Sequence, residues 1–284
     1  MKIGIASGKG GTGKTTVATS LARIAPDKTC YVDCDVEEPN GHIFLNPVIS
    51  ETRPVAVPVP RVDQQLCELC GTCREVCRFN ALALLPTLVL VFDELCHGCG
   101  GCKIACPTQA IREIDRPIGT IEKGSCGEMD FIAGRLNVGE PMSPPLIQAV
   151  KREIPPDRLV FIDAPPGTSC PVIAALDDTD YCLLVTEPTP FGLNDLKLAV
   201  EMVRALGIPL GVIINRDGIG NRETDDYCEA ENIPVLMRIP DDRRIAVAYS
   251  RGELIIDVLP EYRAMFLQLL KNVSTEARKT RIEV

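Results

Sequence analysis

A glycine-rich loop between an apolar strand and a helical segment constrains the fold of this chain more than any other feature. Residues 2–7 have a strand pattern, and residues 8–15 read GKGGTGKT before a helical pattern that runs to about Ala25. The loop matches G-x-x-x-x-G-K-[ST], in which backbone N–H groups and a helix N-terminus converge on phosphate oxygens. The sequence therefore predicts a phosphate loop within an α/β fold.

The residues of this loop are expected to bind a nucleotide, and two of them have specific roles. Lys14 is expected to contact the β- and γ-phosphates of a nucleotide, and the Thr15 hydroxyl is expected to hold Mg²⁺. The loop also carries an additional lysine, Lys9. The residues expected to bind the nucleotide in this region are Gly8, Gly10, Gly11, Thr12, Gly13, Lys14, Thr15 and Thr16.

Strand and helix patterns alternate through much of the remaining chain. Strands are expected at 30–33, 159–162, 181–185, 210–214 and 235–238, with helices near 143–153, 192–206, 222–231, 241–249 and 261–273. This alternation favours a doubly wound, mostly parallel sheet with helices on both faces. Short strands with turns at 117–119 and 123–124 are expected over residues 111–135. The proline-rich residues 52–61 are expected to form an extended linker.

Cysteine is the most unusual part of the composition, with 14 residues, eight of them between Cys67 and Cys106. They form a repeat, LCELCGTCREVCRFNAL and then LCHGCGGCKIACPTQAI, with the spacing C-x₂-C-x₂-C-x₃-C in each copy. This is the spacing of two-cluster bacterial ferredoxins, in which the fourth cysteine of each run binds the other cluster. We expect one [4Fe–4S] cluster on Cys67, Cys70, Cys73 and Cys106, and a second on Cys96, Cys99, Cys102 and Cys77.

Zinc is the alternative metal for these thiols, but a zinc site needs only four ligands, and eight in this repeat favour iron–sulfur clusters. Arg78 follows Cys77 at a position where proline is common. We still expect Cys77 to bind a cluster, but the sequence does not predict the backbone conformation after it. The predicted organisation is a small inserted α+β ferredoxin-like domain at 61–110, within a nucleotide-binding domain made of 1–60 and 111–284.

Several classes of protein are excluded by composition and pattern. The longest apolar stretch, residues 81–92, is too short for a membrane helix, which needs about 20 residues. The net charge of −9 and the lack of tryptophan argue against a nucleic-acid partner. The N-terminal residues lack the apolar core and cleavage site of a signal peptide, so we expect a cytoplasmic protein without stable membrane insertion, whose many thiols bind metal.

The additional lysine in GKGGTGKTT resembles the deviant Walker A loop of the MinD/ParA-like ATPases, a family that includes the nitrogenase iron protein. The segments YVDCD at 31–35 and VFIDAPPG at 160–167 resemble the acidic motif of this family and its Walker B strand with the second switch. The resemblance implies that Lys9 reaches the nucleotide of a partner subunit across a dimer interface. It also implies that Asp35 positions the attacking water and that Asp163 supports the Mg²⁺ shell.

Two further marks of the family concern the nucleotide base. Asn215 matches the asparagine that reads adenine, although a cap or turn at a strand end is the alternative interpretation. Pro240 and Asp241 match the loop that closes over the base. GTP recognition would need Asn-Lys-x-Asp, which residues 215–218 do not supply, so ATP is expected.

The whole chain resembles MinD-superfamily ATPases with an inserted ferredoxin domain. This resemblance implies an ATP-hydrolysing protein that couples nucleotide-driven dimerisation to low-potential electron transfer, with ATP, Mg²⁺ and two [4Fe–4S] clusters as ligands. The second switch, residues 163–167, is expected to transmit the phosphate state to the inserted domain. Expected partners are a second copy or a paralogue across the nucleotide, and a redox protein.

Two alternatives stay open. One is an iron–sulfur cluster carrier, although the C-terminal Cys-x-x-Cys pair of the carriers is absent from this sequence. The other is a MinD-like positioning ATPase with a redox-sensing module. Residues 37–40, 134–145 and 186–188 resemble further marks of the subgroup, and spacing alone assigns them no chemical role.

Overall fold

The computed structural model describes residues 1–26 and 28–282. The strands are β1 (Lys2–Ala6), β2 (Thr29–Asp33), β3 (Val48–Val62), β4 (Leu82–Leu84), β5 (Val89–Val91), β6 (Ile111–Cys126), β7 (Met129–Leu136), β8 (Leu159–Asp163), β9 (Tyr181–Thr186), β10 (Leu210–Asp217) and β11 (Val235–Pro240). The helices are α1 (Lys14–Ile24), α2 (Gly41–Leu45), α3 (Thr72–Val76), α4 (Gly101–Ile104), α5 (Pro144–Arg152), α6 (Cys170–Leu176), α7 (Pro190–Ala205), α8 (Glu223–Ala230), α9 (Arg243–Ser250), α10 (Ile255–Val258) and α11 (Pro260–Ile282).

In the described part of the chain, nine strands form one sheet in the order β11-β10-β9-β1-β8-β2-β7-β6-β3. Neighbours from β11 to β7 are parallel, whereas β6 and β3 run antiparallel at one edge. The prediction of a mostly parallel α/β sheet is therefore confirmed. The sheet also has two antiparallel strands at one edge, β6 and β3, which the alternation of strands and helices did not predict.

Helices cover both faces of this sheet because successive side chains of a strand point to opposite sides. Tyr31 packs with Leu21 and Phe266 in the core beneath α1, α10 and α11. Cys30 and Leu146 belong to the core on the other face, beneath α5, α6 and α7. Since the central strands are covered on both sides, they consist almost wholly of buried apolar residues.

The structure corrects the expectation of a linker at residues 52–61. These residues lie inside β3 and pair with β6 along its length. β3 is an edge strand, where proline is tolerated because its missing N–H need not be paired with a neighbour. The proline-rich stretch is extended, as expected, but it is part of the sheet.

The turns expected at 117–119 and 123–124 are also wrong, because β6 runs without interruption to Cys126. The pairing of β3 with β6 instead shifts register at two places. At the first, Pro117 pairs with Ala56 and Gly119 with Val55, so Ile118 lies between two paired residues and is buried. Such a bulge bends a strand without ending it.

The cysteine-rich segment, residues 63–110, lies between the end of β3 and the start of β6. It contains α3, the hairpin of β4 and β5, a 3₁₀ turn at Asp93–Leu95 and α4. Its small core consists of Cys73, Leu82 and Val89 together with Ile111 of β6. A core of this size buries little apolar surface, so packing alone stabilises the segment weakly.

Helix α11 packs on the sheet through one face. Tyr262, Phe266, Leu269 and Val273 recur at helical spacing and are buried, whereas Leu267 is half exposed. Among the described helices, none combines the length and the apolar character needed to cross a membrane. The apolar face of α11 is therefore occupied by the sheet.

Replacing Phe266 by alanine should lower the free energy of unfolding by about 3–5 kcal/mol, because a fully buried aromatic side chain is lost. Leu267→Ala on the same helix is the matched control, and we expect it to cost less than about 1 kcal/mol. Urea denaturation followed by circular dichroism measures both. Equal losses for the two variants would contradict the packing described here.

Candidate functional site

The glycine-rich loop forms an open cradle at the N-terminus of α1. Gly11 and Gly13 adopt left-handed conformations, with φ of +80° and +93°. A Cβ atom built at Gly13 would lie 2.4 Å from Asn215 Nδ2, whereas one built at Gly10 or Gly11 would meet no heavy atom within 4 Å. The Thr12 hydroxyl is buried without a hydrogen-bond partner. An open cradle with an unpaired hydroxyl at a helix N-terminus fits a phosphate ligand.

Lys14 lies between two carboxylates at the centre of this site. Its Nζ is 2.9 Å from Asp163 Oδ1 and 3.4 Å from Asp35 Oδ2. β2 and β8 are parallel neighbours, with Asp33 opposite Asp163. Asp163 and Asp35, which follows Asp33 by two residues, therefore lie at the same edge of the sheet. The structure thus brings together Lys14, Asp35 and Asp163, while their roles toward a nucleotide stay predictions.

The charges of this group stabilise one another. Burial opposes the charged form of Lys14, but attraction by Asp163 and Asp35 outweighs it and raises the pKa of the ammonium group. Burial also raises the pKa of the Asp35 carboxyl, and Lys14 partly offsets this effect. A lysine that stays charged inside the protein is ready to exchange a carboxylate partner for a phosphate oxygen.

Two residues that the sequence analysis missed hold these groups in place. Asp33 accepts hydrogen bonds from the backbone N–H groups of Asp35 (3.2 Å) and Gly41 (3.0 Å), and burial raises the pKa of its carboxyl. The Tyr31 hydroxyl donates to Asp163 Oδ2 at 3.0 Å. The D-x-D spacing around Cys34 was a usable signal for Asp33, because an aspartate commonly bonds the backbone two residues on.

Lys9 is placed differently from Lys14. Its Nζ lies 3.1 Å from Glu187 Oε2, and the other oxygen of Glu187 lies 3.2 Å from Arg216 Nη1. The Glu187 side chain is 8% exposed, whereas that of Lys9 is 34% exposed. A nearly buried carboxylate therefore holds Lys9 at the surface beside the loop, where a second molecule can reach it.

Asn215 ties the strand end of β10 to the phosphate loop. Its Nδ2 donates to the Thr12 carbonyl at 2.8 Å, and its Oδ1 accepts from the Arg216 N–H at 2.9 Å. Pro240 lies opposite Asp217 at the end of β11, and the Asp241 N–H donates to the Asp217 carbonyl at 3.0 Å. The residues expected to surround the base thus lie at the ends of two adjacent strands.

The eight cysteines of the repeat line two clefts in the cysteine-rich segment. The first cleft is lined by Cys67, Cys70, Cys73 and Cys106, together with Val62 and Ile111 at the ends of β3 and β6. The second cleft is lined by Cys77, Cys96, Cys99 and Cys102, together with Pro58, Pro60 and Glu113. The thiols are grouped in the two sets of four that the spacing indicates, while iron binding by them stays a prediction.

Backbone N–H groups point at several of these sulfur atoms. Ala81 N lies 3.4 Å from Cys77 Sγ, and Ala110 N lies 3.3 Å from Cys106 Sγ. The two contacts occupy the same place in the two copies of the repeat. The repeat in the sequence is therefore also a repeat in the local structure around these two cysteines.

The thiols are not paired with each other, and all 14 cysteines of the chain are free. Burial raises the pKa of the Cys102 thiol to about 11. Such a thiol is protonated at neutral pH unless a bound cation displaces the proton. Among the described residues, no group of three or more His, Cys, Asp or Glu side chains is close enough to hold a single metal ion.

Residues 3–255 match the family described as CobQ/CobB/MinD/ParA nucleotide binding domain. Two uncharacterised proteins of Methanocaldococcus jannaschii are similar to the chain: one is 31% identical over 89% of this chain and 90% of its own length, the other 34% over 78% and 80%. An iron–sulfur cluster carrier protein of the same organism is 25% identical over 88% of this chain and 76% of its own length.

Solved structures of MinD have a similar fold. The cell division ATPase MinD of Pyrococcus furiosus has a TM-score of 0.59, with 20% identity over 96% of this chain and 98% of that chain. MinD of Pyrococcus horikoshii, solved with Mg-ADP, has a TM-score of 0.58 and 19% identity, over 96% of this chain and 95% of that chain. At these identities the likeness shows a shared fold.

Replacing Tyr31 by phenylalanine should lower the free energy of unfolding by about 1–3 kcal/mol, because it leaves a buried oxygen of Asp163 without its donor. Tyr249→Phe, at a half-exposed position, is the matched control and should have little effect. Chemical denaturation of the nucleotide-free protein measures both. An unchanged midpoint for Tyr31→Phe would show that the hydroxyl does not support Asp163.

Proposed function

The chain belongs to the CobQ/CobB/MinD/ParA nucleotide-binding family, and from this premise we propose that it is an ATPase that couples nucleotide-driven dimerisation to electron transfer. The single observation that carries the proposal is the grouping of eight thiols in two clefts on a hairpin of the nucleotide-binding sheet. A site for ATP hydrolysis and a site for redox groups are thereby connected through one sheet. We propose that the protein is cytoplasmic.

We propose that ATP binds with its phosphates in the loop of residues 8–16. Lys14 then exchanges Asp35 for a phosphate oxygen, and the freed Asp35 carboxylate accepts a hydrogen bond from the attacking water. Thr15 and Asp163 supply oxygen atoms on the Mg²⁺ side, which suit this ion. Asn215, with Pro240 and Asp241, reads the adenine.

Dimerisation supplies the last cation of this site. Lys9 is proposed to leave Glu187 and contact the phosphates of a second subunit, which stabilises the charge that develops during phosphoryl transfer. The second subunit is another copy of the chain or a paralogue. One archaeon carries two relatives of similar length, which is consistent with pairing between paralogues.

The cysteine-rich segment, within a domain at 61–110, is proposed to hold two [4Fe–4S] clusters, one in each cleft. The donor set fits this group, because four thiols line each cleft and a [4Fe–4S] cluster takes four cysteine ligands. When bound, such clusters supply one-electron transfer at low potential. The thiols bind the iron, and the N–H groups of Ala81 and Ala110 stabilise the sulfur charge.

Exposed apolar side chains on this segment support a protein partner. Leu84, Leu90 and Phe92 are exposed on or beside the hairpin of β4 and β5, and Ile104 at the end of α4 is 85% exposed. Clustered exposed apolar residues are typical of protein interaction surfaces. A redox protein is the proposed partner, because these exposed side chains lie in the same short segment as the eight cysteines.

An iron–sulfur cluster carrier is the second candidate function. It is favoured by the similarity to the carrier proteins of Methanocaldococcus jannaschii and Aquifex aeolicus, the latter 30% identical over 40% of this chain. Rapid transfer of iron to an apo-ferredoxin, faster with ATP than without, would support this candidate. Retention of iron by the chain under the same conditions favours the electron-transfer proposal.

The first test concerns Lys9. Lys9→Ala should abolish ATP-dependent association, because the charge that reaches the second nucleotide is removed. Sedimentation velocity with Mg²⁺ and a non-hydrolysable ATP analogue measures the association. Lys2→Ala, which removes an exposed ion pair with Asp178 at the other end of β1, is the matched control. Normal association of Lys9→Ala would contradict the proposed dimer.

The second test concerns the clusters. Anaerobic reconstitution should load about eight iron atoms per chain, and Cys106→Ser should lower the number to about four. Removal of the iron should make residues 61–110 sensitive to protease while the nucleotide-binding sheet stays folded, because the segment has a small core of its own. Unchanged protease resistance of this segment after loss of iron would contradict the proposal.

A further inference from the structure

A series of contacts leads from the nucleotide site to β6, the strand whose Glu113 lines the second cleft, and it uses two segments to which the sequence analysis assigned no role. We propose that residues 137–143, locked by the ion pair of Arg116 with Glu140, couple the nucleotide state at Asp35 to the second cleft. This inference rests on the proposed function, because it needs both a nucleotide and a redox group to couple.

The first contacts join the segment after β2 to the segment after β7. Beyond Asp35, the Val36 carbonyl accepts a hydrogen bond from Leu136 N at 2.8 Å. The Ser143 hydroxyl donates to Glu37 Oε1 at 3.2 Å, and it makes no capping bond at the start of α5. A serine at a helix start usually caps that helix. Here the Ser143 hydroxyl instead bonds Glu37, in the segment that follows Asp35.

Gly134 makes the first contacts close. A Cβ atom built at this position would lie 2.6 Å from Val36 Cγ1 and 2.7 Å from Val150 Cγ2. The side chain of Val36 therefore packs directly on the backbone of β7. Because the packing here is tight, a displacement of residues 35–37 also moves β7.

The next contacts join residues 137–143 to the bulge in β6. Asn137 N donates to the Ile118 carbonyl at 2.9 Å, and Asn137 Nδ2 donates to the Pro117 carbonyl at 3.2 Å. The Glu140 N–H in turn donates to the Asn137 carbonyl at 3.0 Å, which closes a turn. The irregular part of β6 is thus held by residues 137–143, and β6 is the strand that follows the cysteine-rich segment.

The last contact is a buried ion pair. Both Nη atoms of Arg116 bond the Glu140 carboxylate, and these side chains are 17% and 4% exposed. Arg116 Nε is buried without a partner. Arg116 lies on the same strand as Glu113, which lines the second cleft, whereas Asp93 in the 3₁₀ turn before Cys96 is paired with Arg61.

These contacts give the coupling a physical basis. The bidentate ion pair of Arg116 with Glu140 is largely shielded from solvent and costly to leave half made, so it is either closed or open, in discrete arrangements. Movement of residues 35–37 when a phosphate replaces Asp35 at Lys14 shifts Glu140 relative to Arg116. The positive charge beside the second cleft changes accordingly, and charge around a redox site sets its potential.

The second switch has a different environment. Residue Gly167 donates its N–H to the Ser7 carbonyl, and the following helix α6 packs against α5, β1 and β8. The segment at 35–37 reaches β6 through hydrogen bonds of 2.8–3.2 Å by way of residues 136–143, whereas the second switch reaches β6 through the packing of α6 on α5 and of α5 on β6. The sequence analysis expected residues 163–167 to transmit the phosphate state to the cysteine-rich segment. In this proposal, residues 35–37 and 137–143 transmit it.

Amide hydrogen exchange of residues 93–102 tests the coupling, measured anaerobically on the full chain loaded with iron and sulfide. Adding Mg²⁺ with a non-hydrolysable ATP analogue should change exchange there in the wild type. Glu140→Gln should lose this nucleotide-dependent difference while iron content and nucleotide affinity stay the same. Glu153→Gln is the matched control, since it weakens ion pairs with Arg53 and Lys123 on the same two strands, away from the proposed connection.

A second variant keeps the test decisive if Glu140→Gln fails to fold. Ser143→Ala removes only the hydroxyl that bonds Glu37, and it should also lose the nucleotide-dependent difference. A full wild-type response in either folded variant would overturn the coupling while leaving the proposed function intact. No nucleotide response in the wild type itself, with clusters and nucleotide bound, would contradict both.

Discussion

The ion pairs of Lys14 with Asp163 and Asp35 are the interaction on which the rest of the site depends. They exist because β2 and β8 are parallel neighbours that end at the same edge of the sheet, directly beside the loop before α1. Burial makes each charge costly alone, so the group is stable only as a set. In the proposed function, a phosphate that enters the loop takes the place of Asp35 at Lys14, and this exchange is the event that the rest of the protein responds to.

The antiparallel pair of β3 and β6 gives this event a path out of the nucleotide site. Both strands are long, both lie in the nucleotide-binding sheet, and the cysteine-rich segment lies between them in the chain. A rigid strand pair of this kind is a better connection than a flexible linker, because displacements at one end are not lost as disorder. In the proposed coupling, the bulge at Ile118 is the place where residues 137–143 are hydrogen-bonded to this strand pair.

Local patterns predicted the parallel strands and the loop before α1, because strand–loop–helix signals are contained in a few consecutive residues. The thiol groupings followed from spacing for the same reason. The pairing of β3 with β6 could not be read locally, because prolines and glycines signal turns wherever they stand; it is the edge position of β3 and the bulge in β6 that accommodate the prolines. Likewise, Glu187 lies far along the chain from Lys9, and Glu140 lies on a different element from Arg116. Such ion pairs are products of the fold, and no short motif encodes them.

The central claim is that the nucleotide state alters the redox site, and an anaerobic redox titration followed by electron paramagnetic resonance tests it most directly. The titration compares the iron-loaded protein with and without Mg²⁺ and ATP, with Lys14→Ala as the control. The account predicts a nucleotide-dependent shift of midpoint potential that is absent from the control; a shift of about 59 mV for one electron corresponds to a tenfold change in equilibrium constant. Identical potentials with and without nucleotide, in protein that carries both clusters and binds ATP, would contradict it.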